Sequence, residues 1–293
     1  MTPVLRLQGR VFCGLAVVLV IAGMAGARLA PLQELLAAAA LISLLGTPHG
    51  AFDAVWARQL FGVAGCKGWA VFSLLYIGLS AAVAGFWFVA PTAFLCAFLV
   101  GSALHFGADP PAGVSRLVRC LYGGAVIVLP ALWHGPELQR LLGLVAGPAS
   151  AAFVAPWLSR LAAPWLAATV LACALQARTS WPAASEWAAL AGLSVVATPL
   201  VAFTVYFCAM HSPRHVLRTL ASLPGTETRR ALALALWPTL SVLAALALAA
   251  ELLSEQPIEA RAMQLVFVGL AALTLPHMLL IECARRVAPP ALR

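Results

Sequence analysis

The chain has 293 residues, of which 63% are hydrophobic and only 10% charged, with a mean hydropathy of +0.97 and a net charge of +8. A water-soluble domain carries about 45–50% apolar and about 25% charged residues, so this composition excludes a soluble enzyme and indicates a polytopic membrane protein. At about 20 residues per crossing the chain holds about eight to ten helices and no soluble domain; the expectation is one all-α integral membrane domain over residues 1–293. The 18 Lys and Arg residues are scattered singly between apolar runs, which argues against nucleic acid as a partner and for a role in membrane orientation. The cysteines, Cys13, Cys66, Cys96, Cys120, Cys173, Cys208 and Cys283, form no C-x-x-C pair and read as small buried hydrophobes.

In chain order, the first apolar run is Val11–Ala30, preceded by Arg6 and Arg10; its length marks a retained anchor and not a cleaved signal. Further spans are predicted at Leu35–Thr47, Trp69–Val89, Thr92–Phe106, Arg119–Trp133, Leu141–Ala155, Pro164–Ala177, Trp187–Met210, Ala231–Ala250 and Ala262–Cys283. Gly147-Pro148 interrupts the sixth, and the second is short enough to be tilted or partly re-entrant. With the N-terminus inside, the inner segments hold Arg6, Arg10, Arg58, Lys67, Arg116, Arg119, Arg160, Arg214, Arg218, Arg229, Arg230, Arg285, Arg286 and Arg293. The outer ones hold only Arg28, Arg140, Arg178 and Arg261. That asymmetry predicts both termini on the cytoplasmic side of the cell inner membrane.

The histidines sort with this topology. His49, His105 and His211 fall at the inner ends of the second, fourth and eighth spans, His215 follows one turn later, and His277 lies in the inner half of the tenth. Only His134 is outside. Scattered core histidines are not expected to gather at one depth. His211 and His215 share a helix face at about 5–6 Å between Cβ atoms if the helix is continuous, but Pro213 predicts a break near His211 and a restart with Ser212 as N-cap. His49 and His105 are each followed four residues later by an aspartate, Asp53 and Asp109. Such a carboxylate would accept the second ring N–H of a ligating imidazole; a solvated turn is the plain alternative. Neutral imidazoles without thiolates suit Fe(II), Zn(II) or Cu, and softness does not choose among them. Phe52, Trp56, Phe106, Tyr206, Phe207, Met210 and Met278 stand nearby in sequence. Without a Ser-His-acid set or an HExxH motif, this apolar company points to an apolar substrate entering from lipid, against ordinary helix packing as the alternative.

Four segments, GTPHGAFD (46–53), ALHFGADP (103–110), MHSPRH (210–215) and LPHMLLIE (275–282), resemble in this order the Brp/Blh family of membrane β-carotene dioxygenases. The resemblance implies an Fe(2+) enzyme that cleaves the central double bond of all-trans-β-carotene with O₂ to two all-trans-retinal, inside the lipid bilayer, with a retinal-binding rhodopsin as a downstream partner. It implies His49, His105, His211 and His215 as ligands, and His277 as a supporting or substitute ligand beside Asp53 and Asp109. The substrate would lie against Phe52, Trp56, Phe106, Tyr206, Phe207 and Met210, with no catalytic side chain beyond the metal ligands. Membrane di-iron desaturases need more histidines than the six present. A haem-binding or transport protein, with histidines as axial ligands or a proton relay, is the non-enzymatic alternative. A retinal-binding pump would need a mid-span lysine, and Lys67, the sole lysine, is in a loop.

Overall fold

The computed structural model describes residues 3–110 and 114–287, and contains no strand among them. Arg293 lies outside the described residues. The helices are α1 Pro3–Met24, α2 Pro31–Leu41, α3 Pro48–Ala51, α4 Asp53–Phe61, α5 Gly65–Val89, α6 Pro91–Phe106, α7 Arg116–Val128, α8 Ala131–Ala146, α9 Pro148–Ala177, α10 Trp181–Val196, α11 Pro199–Val205, α12 Ser212–Ala221, α13 Thr228–Leu252 and α14 Ile258–Val287. Among the described residues, six stretches are long and apolar enough to cross a membrane: Pro3–Met24, Pro31–Phe61, Gly65–Val89, Pro148–Ala177, Gly225–Leu252 and Ile258–Cys283. The pair α7–α8, bent by 65°, makes a seventh if counted as one span. Helix α5 buries no residue and turns Leu74, Leu75, Ile77, Phe88 and Val89 outward, which lipid can cover because every helical backbone group is already paired.

The shorter α10 and α11–α12 are largely buried, α6 turns Val100 and Leu104 outward, and the contacts of these helices define two ends of the bundle. Helix α10 begins where Glu186 meets Arg214, beside the histidines, and ends where the Val196 carbonyl meets His134 Nε2 at 3.1 Å. The second end also holds the Glu34–Thr198 hydrogen bond (2.6 Å) and the Arg140–Glu259 ion pair (3.1 Å). Helix α8 lies across that end. Its first turns meet α10, while the carbonyls of Leu144 and Val145 accept from Gln264 of α14 and Trp87 of α5 at 3.2 and 2.9 Å.

This arrangement changes four predicted spans: Arg119–Trp133 is bent at Leu129–Pro130 between α7 and α8, Trp187–Met210 is interrupted at Ala197–Thr198 between α10 and α11, and the other two are Leu141–Ala155 and Pro164–Ala177. Leu141–Ala155 is not one helix: Gly147, at φ +88°, ends α8, and Pro148 opens α9, a stop and a start that glycine and proline each favour. Pro164–Ala177 is the second half of α9. As a result Arg160 sits near the α8 end, where Ser159 packs beside Gly135. Arg178 follows the last turn of α9, which is tied to the start of α10 by Cys173 Sγ–H to the Ala184 carbonyl at 3.2 Å. The two arginines exchange ends relative to the sequence expectation.

At the histidine end two helices widen into π-turns, Ile42–Gly46 and Tyr206–His211. Each comes just before a proline, Pro48 or Pro213, whose missing N–H and ring force the preceding backbone to bulge. The carbonyls this frees are taken up by side chains. Thr47 Oγ1 donates to Ser43 O, Ser212 Oγ to Leu45 O at 2.8 Å, and Gln8 Nε2 to Ala209 O at 2.6 Å. Pro213 stands in the first turn of α12, as the sequence predicts, but the expected break is absent: His211 and Ser212 keep helical backbone, and Ser212 lies inside the helix and does not cap it.

Candidate metal centre

Five imidazoles meet where α3, α6, the Tyr206–His211 turn, α12 and α14 converge. His49 lies 5.3, 5.8 and 5.3 Å, ring centre to ring centre, from His211, His215 and His277. His105 lies 4.6 and 5.2 Å from His211 and His277, and 6.5 Å from His49. His215 and His277 are 5.0 Å apart. His134 is at the other end of the bundle, as the sequence predicts.

The ring nitrogens are sorted into an outer and an inner set. His277 Nδ1 donates to Asp53 at 2.7 Å, His211 Nδ1 to Asp109 at 3.1 Å, and His49 Nδ1 to the Gly46 carbonyl. With Nδ1 carrying the proton, each Nε2 keeps its lone pair for the interior of the cluster. His211 Nε2 and His105 Nε2 face each other at 3.0 Å. The Nε2 atoms of His215 and His277 are buried without a hydrogen-bond partner, and one ring nitrogen from each of His49, His105 and His277 lies within 4.8 Å of the others. Two nitrogens at about 2.1 Å from one ion and at right angles to each other would be about 3 Å apart, so this set of inward lone pairs fits a divalent transition metal.

The aspartates serve histidines other than those expected. Asp53 and Asp109 follow His49 and His105 by four residues, but each pairs with a histidine from a distant part of the chain, His277 and His211. The physical reason is that neither His–Asp stretch is one helix. The chain turns at Phe52 between α3 and α4, and Asp109 lies in the turn after α6. Both carboxylates are themselves held. Tyr76 Oη donates to Asp53 Oδ2 at 3.0 Å and Tyr206 Oη to Asp109 Oδ2. Arg218 fixes the second turn by donating to the carbonyls of Ala108 and Asp109 at 3.1 and 2.6 Å. Burial alone would raise the Asp109 carboxyl, but the facing His211 ring, Arg218 and the Tyr206 hydroxyl outweigh it and hold the group below the usual carboxylate range.

Of the six residues expected around a substrate, three border the imidazoles, Tyr206 with its ring 6.3 Å from His211. Phe207 stacks on His211 at 5.6 Å and meets His49 edge-on at 5.3 Å; Phe106 is 4.9 Å from His211. Tyr206 directs its hydroxyl to Asp109. Met210 is fully buried with its sulfur toward Gln8 of α1 at 3.5 Å. Phe52 packs with Val55, Leu223 and Ala235, and Trp56, on α4, leaves its buried indole N–H unpaired. Met278 follows His277 and is half-buried.

Sequence reasoning missed Tyr76, Arg218 and Gly46. The signal for Tyr76 was a phenol in the middle of an apolar run, since a buried hydroxyl seeks an acceptor. Gly46 is required by close approach: a Cβ there would lie 2.3 Å from the Phe207 ring. Behind the centre, Arg214 donates to both Glu186 oxygens at 2.8 and 2.7 Å and to Gln8 Oε1 at 3.0 Å, tying α12 to α10 and α1. That buried bidentate pair fixes the segment between His211 and His215.

Residues 40–284 match the family model described as beta-carotene 15,15'-dioxygenase, a range that includes all five clustered histidines. The chain belongs to the beta-carotene 15,15'-dioxygenase family. It is 32% identical over 261 residues, 84% of this chain and 92% of the relative, to a beta-carotene 15,15'-dioxygenase from an uncultured marine bacterium, 66A03. It is 29% identical over 226 residues, 67% of this chain and 65% of the relative, to the probable beta-carotene 15,15'-dioxygenase Blh of Halobacterium salinarum. No solved structure matches the chain. For this family the cluster gives the match a physical basis, because the matched range carries the elements that bring the imidazoles together.

Proposed function

We propose that this protein cleaves the central double bond of β-carotene with O₂ to give two molecules of retinal, at an Fe(2+) held by His49, His105, His211, His215 and His277. One C=C bond and one O=O bond are lost and two C=O bonds form, so no outside reductant is needed. The observation that carries this reading is the convergence of five imidazoles with inward lone pairs, two of them buried and unpaired, inside an apolar bundle of the dioxygenase family. Bound there, iron would supply the redox chemistry with O₂ that closed-shell side chains lack. The histidines bind it, Asp53, Asp109 and the Gly46 carbonyl hold the rings in one tautomer, and Phe106 and Phe207 give the polyene an apolar wall that excludes water. Carotene has no ionisable handle, so no side chain needs to act as acid or base. His49 lies within 6.5 Å, ring centre to ring centre, of each of the other four imidazoles, which leaves no room for a porphyrin between them and weighs against the haem reading.

The basic asymmetry supports a multi-pass protein of the cell inner membrane with both termini cytoplasmic, and the retinal formed is apolar enough to pass to a retinal-binding rhodopsin through the bilayer. The test is anaerobic purification in detergent with metal analysis, then addition of β-carotene and O₂ and chromatography of the products. Two retinal per carotene with stoichiometric iron is the expected result. Protein that holds iron yet leaves β-carotene intact would overturn it.

A further inference from the structure

An apolar cavity of about 80 Å³ lies inside the bundle between the metal centre and α8. Ser102 of α6 is the one hydroxyl on its wall; the other lining residues are apolar, among them Leu95, Phe98, Leu142, Phe203 and Phe267. We propose that this cavity and the rings around it receive one arm of the carotene substrate, with α8 as the stop that places the central double bond at the histidines. The inference rests on the dioxygenase reading and adds the location and length of the substrate site.

Three observations carry it. The first is continuity: Phe203, on the cavity wall, stacks on Phe207 at 5.5 Å and 11°, and Phe207 stacks on His211 at 5.6 Å and 17°. A flat polyene can lie along such a line of ring faces. The second is length. Ser102 is one turn from His105 and Leu95 is ten residues from it, so the cavity extends to about 15 Å from the metal ligands at 1.5 Å per residue. That reach is comparable to an extended half-carotene. The third is the closed end: α8, bent 65° from α7, lies across the bundle and presents Leu138, Leu141, Leu142 and Val145 to the cavity. A carotene arm is larger than the cavity, and the rest of its path is filled by Phe98, Phe203 and Phe267, which touch at ring separations of 6.4 and 5.1 Å. These rings are what the arm displaces, with the Ser102 hydroxyl as the one polar side-chain group on the wall.

The symmetry of the substrate makes the stop matter. If α8 fixes how far one arm enters, the bond that reaches the histidines is set by arm length and not by any polar contact, which suits a hydrocarbon. A substrate shortened at one end can place its short arm here and no longer needs the full depth.

The test replaces Leu142 at the closed end by tryptophan and compares β-carotene with a β-apocarotenal truncated at one end, in detergent, together with metal content. Leu142→Trp is expected to keep wild-type metal, to lose about tenfold or more in retinal formation from β-carotene, and to cleave the truncated substrate within about twofold of wild type, the scale on which apolar pockets discriminate by size. An equal loss on both substrates with metal retained, or undiminished cleavage of β-carotene, overturns the proposal. Should Leu142→Trp fail to insert, Leu95→Trp on α6 is read by the same criteria. Retention of each carotenoid by metal-depleted protein is measured in parallel. A wild-type chain that cleaves neither substrate refutes the dioxygenase reading, whereas equal β-carotene retention by wild type and variant refutes the cavity.

Discussion

At the scale of residues, the centre is two carboxylate–histidine pairs and a carbonyl–histidine pair around shared lone pairs. From Pro276 alone, His277 ranks below the other four, because it lies within a span and not at its end. Its geometry makes it their equal: Asp53 fixes Nδ1, and Nε2 is buried without a partner. His277→Ala and His215→Ala are therefore both expected to abolish stoichiometric iron and retinal formation while the protein still inserts, and His134→Ala to change neither. Iron analysis and product chromatography on the three variants side by side decide this; full iron in His277→Ala would return that residue to a supporting role. The carboxylates act one step further out. Asp53→Asn and Asp109→Asn keep the side-chain shape but remove the charge that opposes the imidazole N–H. They are expected to weaken metal retention by about 10–100-fold, measured as loss of iron to a chelator over time. Retention equal to wild type in both variants would mean that the two pairs only pack the helices.

Among the elements, the irregular helices do the positioning, and here the sequence was only partly legible. Pro213 announces a break, but the structure bulges there into a π-turn and the helical backbone continues through His211 and Ser212, as it does through Thr47 before Pro48. What spacing did not reveal is which carboxylate serves which ring, because four residues correspond to one helical turn only if the helix continues. Phe52 and the turn after α6 carry Asp53 and Asp109 away from His49 and His105 and toward partners 224 and 102 residues distant in sequence. No local pattern holds that information. The two π-turns also have to approach each other, and Gly46 permits it. Gly46→Ala would place a Cβ 2.3 Å from Phe207, which overpacking penalises by about 1–3 kcal/mol. In Gly50→Ala the new Cβ meets nothing within 4 Å. Thermal unfolding in detergent is expected to show a lower midpoint and reduced iron for the first variant and neither for the second. Matching behaviour would show that the two π-turns can separate without harm to the site.

For the whole molecule, the gathering of five histidines at one end was legible because it needs only alternation of spans, which hydropathy provides. The boundaries in the middle of the chain were not. Hydropathy cannot separate a helix that crosses the membrane from one, like α8, that lies across the end of the bundle with its apolar face on the core. The basic count conceals the difference: exchanging Arg160 for Arg178 on the inner side leaves fourteen of the eighteen Lys and Arg there and four opposite. A topology experiment can see it. If α9 runs from Gly147 at the α8 end to Arg178 at the histidine end, then a reporter fused after Arg178 reads cytoplasmic, on the same side as reporters after Lys67 and Arg230, and one fused at Gly147 reads external. Separate spans at Leu141–Ala155 and Pro164–Ala177 would instead put Arg178 outside. An external reading after Arg178 would therefore restore those two spans. It would also remove the stop that α8 supplies to the substrate cavity, because α8 could not then lie across the end opposite the histidines.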